Sequence, residues 1–147
     1  MKLYSSMLAA LAALLLSAGV ALANDKVHRL ALQISDNDPE KMTAVLNVAA
    51  NVSTHYAKLG QEVEIRIVAF NAGLHMLRTD TSAVKDRLPD FAKSMTNVQF
   101  HACGNTIEGM AKRESKTPPI FAGASIVPAG VVTLIELGEA GWTIVRP

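Results

Sequence analysis

An α/β domain with a largely parallel sheet and helices on both faces is the fold this sequence predicts. Three observations carry that expectation. Short apolar runs alternate with segments of helical period from Val27 to Val145. The run Val63–Phe70 starts by alternating and ends continuously apolar, as a strand does when it becomes buried on both faces. The runs give way to loops rich in Gly, Asn, Asp, Ser and Pro, the residues that turn a chain.

The elements follow in order. Val27–Ile34 predicts a strand, with Leu30, Leu32 and Ile34 on one face and Ala31 and Gln33 on the other. A helix follows. Asp38 is placed to cap it, Pro39 suits its first position, and Met42, Val45, Leu46, Ala49, Val52 and Tyr56 form one stripe. Gly60 is its natural stop. Val63–Phe70 predicts the second strand, and Asn71–Leu77 a loop or short helical turn. Ser82–Met95 has helical spacing, which Pro89 must kink or restart. Val98–Ala102 predicts the third strand and Asn105–Glu114 a helix that ends before Pro118-Pro119. Ala124–Val127 predicts a fourth strand stopped by Pro128, Val131–Leu137 an apolar helix, and Trp142–Val145 a fifth strand.

The N-terminus reads as an export signal. Lys2 precedes an apolar run from Met7 to Leu22 that ends in Ala21-Leu22-Ala23, a small-x-small cleavage pattern. The run is short for a membrane anchor. Cleavage after Ala23 is therefore expected, giving a signal peptide over 1–23 and one domain over 24–147. Removing 23 of the 147 residues leaves 124, enough for a single domain with its own core. Loss of Lys2 leaves 13 basic against 13 acidic residues, a net charge of zero with histidine neutral. A neutral chain with no basic stripe and 5% aromatic residues is a poor nucleic-acid binder. No later stretch is long and apolar enough for stable membrane insertion. A periplasmic location is expected.

Open α/β sheets form their sites beyond the carboxyl ends of the strands. The loops there are Ser35–Asp38, Asn71–Leu77, Cys103–Thr106 and Pro128–Gly130. Cys103, the single cysteine, has no intramolecular partner. An unpaired cysteine in an exported chain is unusual. Two readings of it stand side by side. At a strand end and helix start, backbone N–H groups would stabilise its thiolate. Equally, a lone cysteine is commonly a small buried hydrophobe.

Three segments resemble the DsrE/DsrF-like family of sulfur-relay proteins. They are Ile34-Ser35-Asp36-Asn37-Asp38-Pro39-Glu40-Lys41, Ala102-Cys103-Gly104-Asn105-Thr106 and Val127-Pro128-Ala129-Gly130-Val131-Val132, in family order. The resemblance implies a three-layer α/β/α sandwich with a five-stranded, mainly parallel sheet, and assembly as a homo-trimer or homo-hexamer. It also implies that Cys103 accepts sulfane sulfur as a persulfide and hands it on. The partners would then be sulfur-donor and sulfur-acceptor proteins or small thiols. The family's relay branches work in the cytoplasm, whereas this chain carries an export signal, so their partners do not transfer.

Around Cys103 the candidates are weighed one by one. Backbone N–H groups of Gly104, Asn105 and Thr106 could hold a sulfur anion, or Gly104 could be a turn glycine and the other two helix caps. His101, two residues earlier, would share a sheet face with Cys103 and could help deprotonate it, or be a core histidine. His75 sits in a loop at the same end, as an acid/base or a surface residue. Asp36 and Asn37 either line the pocket or satisfy turn backbone groups. No cofactor is expected, since the chain lacks a glycine-rich phosphate fingerprint and a nucleophilic-serine motif. No metal is expected either. Cys103, His75 and Met76 are soft donors in principle but lack recognised ligand spacing. Two function classes remain: a periplasmic sulfur carrier or sulfurtransferase-like relay protein, and a non-catalytic small-ligand or interaction module with Cys103 in its pocket.

Overall fold

The computed structural model describes residues 26–147; the expected export signal and its expected cleavage after Ala23 lie outside them. The strands are β1 (His28–Ile34), β2 (Val63–Ala69), β3 (Val98–Cys103), β4 (Ala124–Val127) and β5 (Thr143–Val145). They form one sheet of order β4-β3-β2-β1-β5, with every neighbouring pair parallel. The helices are α1 (Pro39–Lys58), α2 (Leu88–Ser94), α3 (Gly104–Glu114) and α4 (Gly130–Glu139), with a 3-10 segment over Asn71–Leu77. The expected α/β sandwich with a five-stranded parallel sheet is the observed fold.

The two faces of the sheet are covered unequally. Leu32, Ile34, Ile65, Ile67 and Phe100 meet Met42 and Leu46 of α1, Leu74 and Leu77 of the 3-10 segment, Leu88 and Phe91 of α2, and Ile107 and Met110 of α3. Burying each large side chain contributes roughly 1.5–3 kcal/mol. The opposite face holds a smaller cluster, Ala31 and Val68 under Leu134 of α4, flanked by Phe70, Leu137 and Trp142. The Arg66 guanidinium lies 5.0 Å from the Trp142 ring centroid beside it. Only Gly130 and Leu134 of α4 are buried. Val131, Val132 and Ile135 are about half exposed.

Local chemistry sets the boundaries. The Asp38 carboxylate accepts from the N–H groups of Glu40 and Lys41, so α1 starts with Pro39 in its first turn. Gly60, at φ +66, turns the chain out of it. The helical spacing of Ser82–Met95 is realised only from Leu88. The Ser82 hydroxyl donates to the Met76 carbonyl at 2.6 Å and accepts from the Val84 N–H at 3.1 Å. That bonding holds the preceding residues in turns, and Pro89 falls in the first turn of the shortened helix. Arg78, only 4% exposed, pairs with Asp80 and Glu114 and so ties the chain after the 3-10 segment to the end of α3.

Candidate functional site

A cleft of about 520 Å³ opens at the carboxyl end of β3. Its walls come from the chain after β2 (Phe70 to His75), from α3 (Asn105 to Arg113) and from the start of α4 (Ala129 to Val131), with Cys103 between them. The parallel order of the sheet is the cause. It brings the ends of β2, β3 and β4 side by side, so the loops after them share one rim.

Cys103 is 5% exposed and sits immediately before α3. Burial pushes its thiol up. The Thr106 hydroxyl and the N–H groups of Gly130, Thr106 and Asn105 outweigh that, and the thiol lies below its ordinary range. The starts of two helices, α3 and α4, thus converge on one sulfur. The Asn105 N–H also donates to the Pro128 carbonyl at 3.1 Å, so it is shared. Thr106 Oγ1 accepts from the Asn71 N–H at 3.0 Å, which leaves the hydroxyl hydrogen free to donate.

The predicted site residues separate. Cys103, Asn105, Thr106 and His75 line the cleft together. Asn105 and Thr106 are not caps: Cys103 holds the N-cap position of α3 and makes no side-chain capping bond. His75 is half-buried, and its Nδ1 lies 2.7 Å from Thr81 Oγ1. Gly104 is not among the lining residues, and its N–H is not among the groups that favour the thiolate. Its requirement is packing, since a β-carbon there would lie 3.1 Å from the Val127 carbonyl oxygen. Asp36 and Asn37 stand outside the cleft. Asp36 is 2.6 Å from both Lys41 Nζ and Arg146 Nη2, and these two cations hold its carboxyl below the usual range.

His101 shares the Cys103 face of β3 but does not line the cleft. Burial, aided by the Arg66 charge, holds its imidazole below the ordinary value. Its Nδ1 is buried without a hydrogen-bond partner. Met76 is fully buried in the core, away from the lining residues, so the donor set Cys103, His75 and Met76 does not converge. Among the described residues no group of three or more His, Cys, Asp or Glu side chains is placed to hold a metal ion.

Two features were missed in the sequence. Gly130 packs directly on the thiol: a β-carbon on it would lie 3.3 Å from Cys103 Cβ and 3.0 Å from Phe70 Cβ. Thr106, Gly109, Met110 and Arg113 form one stripe of α3 facing the cleft. Their spacing of three, four and seven residues is readable from sequence once the cleft is known to lie against α3.

No family model matches the chain, and no curated protein matches it. A solved structure is similar, that of the protein of unknown function MTH1491 from Methanobacterium thermoautotrophicum. It is 27% identical, with a TM-score of 0.63 over 82% of this chain and 99% of that chain.

Proposed function

We propose that this chain is a sulfur carrier or sulfurtransferase-like relay protein of the DsrE/DsrF-like kind, binding sulfane sulfur as a persulfide on Cys103. The observation that carries the reading is the placing of Cys103 between the starts of α3 and α4 beside an open cleft, where the Thr106 hydroxyl and the neighbouring N–H groups hold its thiol below the ordinary range. Such a setting favours thiolate, the nucleophilic form. The thiolate attacks the sulfane sulfur of a donor. A new S–S bond forms, the donor's S–S bond breaks, and the remainder leaves with the electron pair. The outer sulfur anion is then held by the same N–H groups until an acceptor thiolate removes it and restores the Cys103 thiolate. His101 lies outside the cleft lining and is not the base of this scheme; the thiol proton leaves to solvent, and the N–H donors favour the thiolate that remains.

The sulfur donors and acceptors are other proteins or small thiols, met in the periplasm after removal of the signal peptide. The exposed apolar residues of α4 support assembly as a trimer or hexamer. Among the described residues, no helix is long and apolar enough to cross a membrane. Mass spectrometry of the purified protein, before and after thiosulfate, polysulfide or glutathione persulfide, tests the proposal. A gain of one sulfur, lost in Cys103→Ser, is expected. No gain from any of the three donors would overturn it.

One observation favours a second reading. Cys103 is only 5% exposed, as a structural wall residue of a small-ligand or interaction pocket would be. Alkylation no faster than that of an ordinary buried cysteine identifies that case.

A further inference from the structure

The cleft beside Cys103 is electrostatically one-sided. No Asp or Glu is among its lining residues, while Arg113 is. Arg113 makes no ion pair among the described residues. The carboxylate next to it in sequence, Glu114, is already taken. Its Oε1 and Oε2 accept from Arg78 Nη1 and Nη2 at 2.6 and 2.9 Å. Arg78 is itself neutralised by Asp80 as well, at 2.8 Å. Arg113 is therefore the cationic side chain of the cleft lining that no carboxylate pairs, while both carboxylates of the neighbouring cluster are bound to Arg78.

Its position relative to the sulfur is fixed by α3. The side chain folds back over Gly109: a β-carbon on Gly109 would lie 3.4 Å from Arg113 Nη1. Gly109 stands three residues after Thr106, about 4.5 Å along a helix axis. The guanidinium thus lies roughly one helical turn from Thr106, which lines the cleft beside Cys103. Gly109 costs the helix about 1 kcal/mol relative to alanine, and what it leaves open is the cleft wall beneath this arginine.

We infer that Arg113 is a positioning and specificity-determining residue of the cleft, anchoring an anionic group about one helical turn from the sulfur delivered to Cys103. The substrate class is a small sulfane-sulfur donor that carries an anion: an inorganic thiosulfate-type oxyanion or a carboxylate-bearing persulfide. This inference rests on the sulfur-carrier reading for the identity of the transferred group, but not for the anion subsite itself. With thiosulfate, the Cys103 thiolate attacks the outer sulfur and forms the persulfide S–S bond. The S–S bond of thiosulfate breaks, and sulfite leaves with its electron pair. Charge is conserved, and no oxidant or reductant is needed. Two anions must approach each other in this step, and a fixed cation beside them lowers that repulsion.

The test uses two alkylating agents that differ by one charge. Cys103 of the purified protein is alkylated with iodoacetate and with iodoacetamide, and the ratio of the two rates is the readout. Arg113→Gln should lower that ratio about tenfold, Arg113→Lys should restore most of it, and high salt should compress the wild-type ratio. A ratio within twofold of wild type in Arg113→Gln overturns the inference. Arg113 is exposed and unpaired, so the variant keeps the fold. Loading from thiosulfate and from glutathione persulfide is measured in parallel. A loss confined to thiosulfate identifies the inorganic anion, and a loss confined to glutathione persulfide identifies the carboxylate. If wild type gains sulfur from neither donor while the alkylation ratio still collapses in Arg113→Gln, the sulfur-carrier reading fails and the anion subsite stands.

Discussion

The Asn71 N–H donates to Thr106 Oγ1 at 3.0 Å, and this bond joins the chain leaving β2 to the first turn of α3. Asn71 reaches it from φ +49, a left-handed conformation that asparagine tolerates better than most residues. Because the oxygen accepts from Asn71, the hydroxyl hydrogen is free for the Cys103 sulfur. A backbone group of one loop therefore orients the donor that favours thiolate in the next.

Thr106→Val tests this coupling. The thiol loses its hydroxyl donor, so its pKa rises and alkylation at neutral pH slows several-fold. Loss of the bond to Asn71 costs about 1 kcal/mol of stability. Thr106→Ser should behave as wild type. Rates of iodoacetamide alkylation against pH decide the matter; an unchanged profile for Thr106→Val refutes the role.

Cys103→Ser should abolish sulfur loading and change stability by no more than about 1 kcal/mol. The smaller hydroxyl meets the same N–H groups, and the site is a helix start rather than the core interior. Intact mass and urea denaturation give the two readings.

His101 predicts a pH dependence of stability. Its folded pKa is depressed below the ordinary histidine value of about 6.5, so the unfolded chain binds a proton the folded one refuses. The stability associated with neutral His101 is present above about pH 6.5 and lost as pH falls towards the lower folded value. His101→Phe removes both this dependence and the unpartnered Nδ1. It should stabilise the protein by about 1 kcal/mol at pH 8, and by more at pH 5. Urea midpoints at the two pH values that shift equally would show the idea to be wrong.

Gly73→Ala should destabilise by about 3 kcal/mol, the upper end for overpacking. A β-carbon there would fall 2.2 Å from the Ile34 carbonyl oxygen, which is backbone and has little room to give. Since Gly73 lies in the segment that starts at Asn71, thiol reactivity should fall with it. Chemical denaturation and alkylation kinetics measure both.

Val132 and Ile135 lie three residues apart on α4 and are 50% and 55% exposed. Light scattering at micromolar concentration should give a trimer or hexamer, and the double substitution Val132→Lys with Ile135→Lys should give a monomer. A monomeric wild type would refute the assembly.

Much of the fold was legible residue by residue. The Asp38-Pro39 start and Gly60 stop of α1 rest on local bonding and φ preference, which a sequence displays directly. The helix expected over Ser82–Met95, with Pro89 to kink or restart it, forms only over Leu88–Ser94, and its first part is lost for a non-local reason. Val84, Leu88 and Phe91 do face the core, but the Ser82 hydroxyl bonds to Met76, across a turn the pattern does not reveal. The site was legible at Cys103, Asn105 and Thr106, which lie in one short stretch, and at His75 in the loop at the same end of the sheet. It was not legible at Gly130 and Arg113, whose roles depend on what lies across the cleft.

The sequence by itself determined the alternation of strands and helices, the strand ends at which a site must form and the placing of the lone thiol at one of them. These follow from side-chain period and turn chemistry, both short-range. Only the tertiary structure decided which side chains share the cleft. It set Asp36 in an ion-pair cluster with Lys41 and Arg146, buried Met76, and turned Glu114 to Arg78 rather than to Arg113, which makes no ion pair among the described residues. Strand order and helix facing fix those neighbours, and the partner that neutralises a charge is chosen by distance in space rather than along the chain.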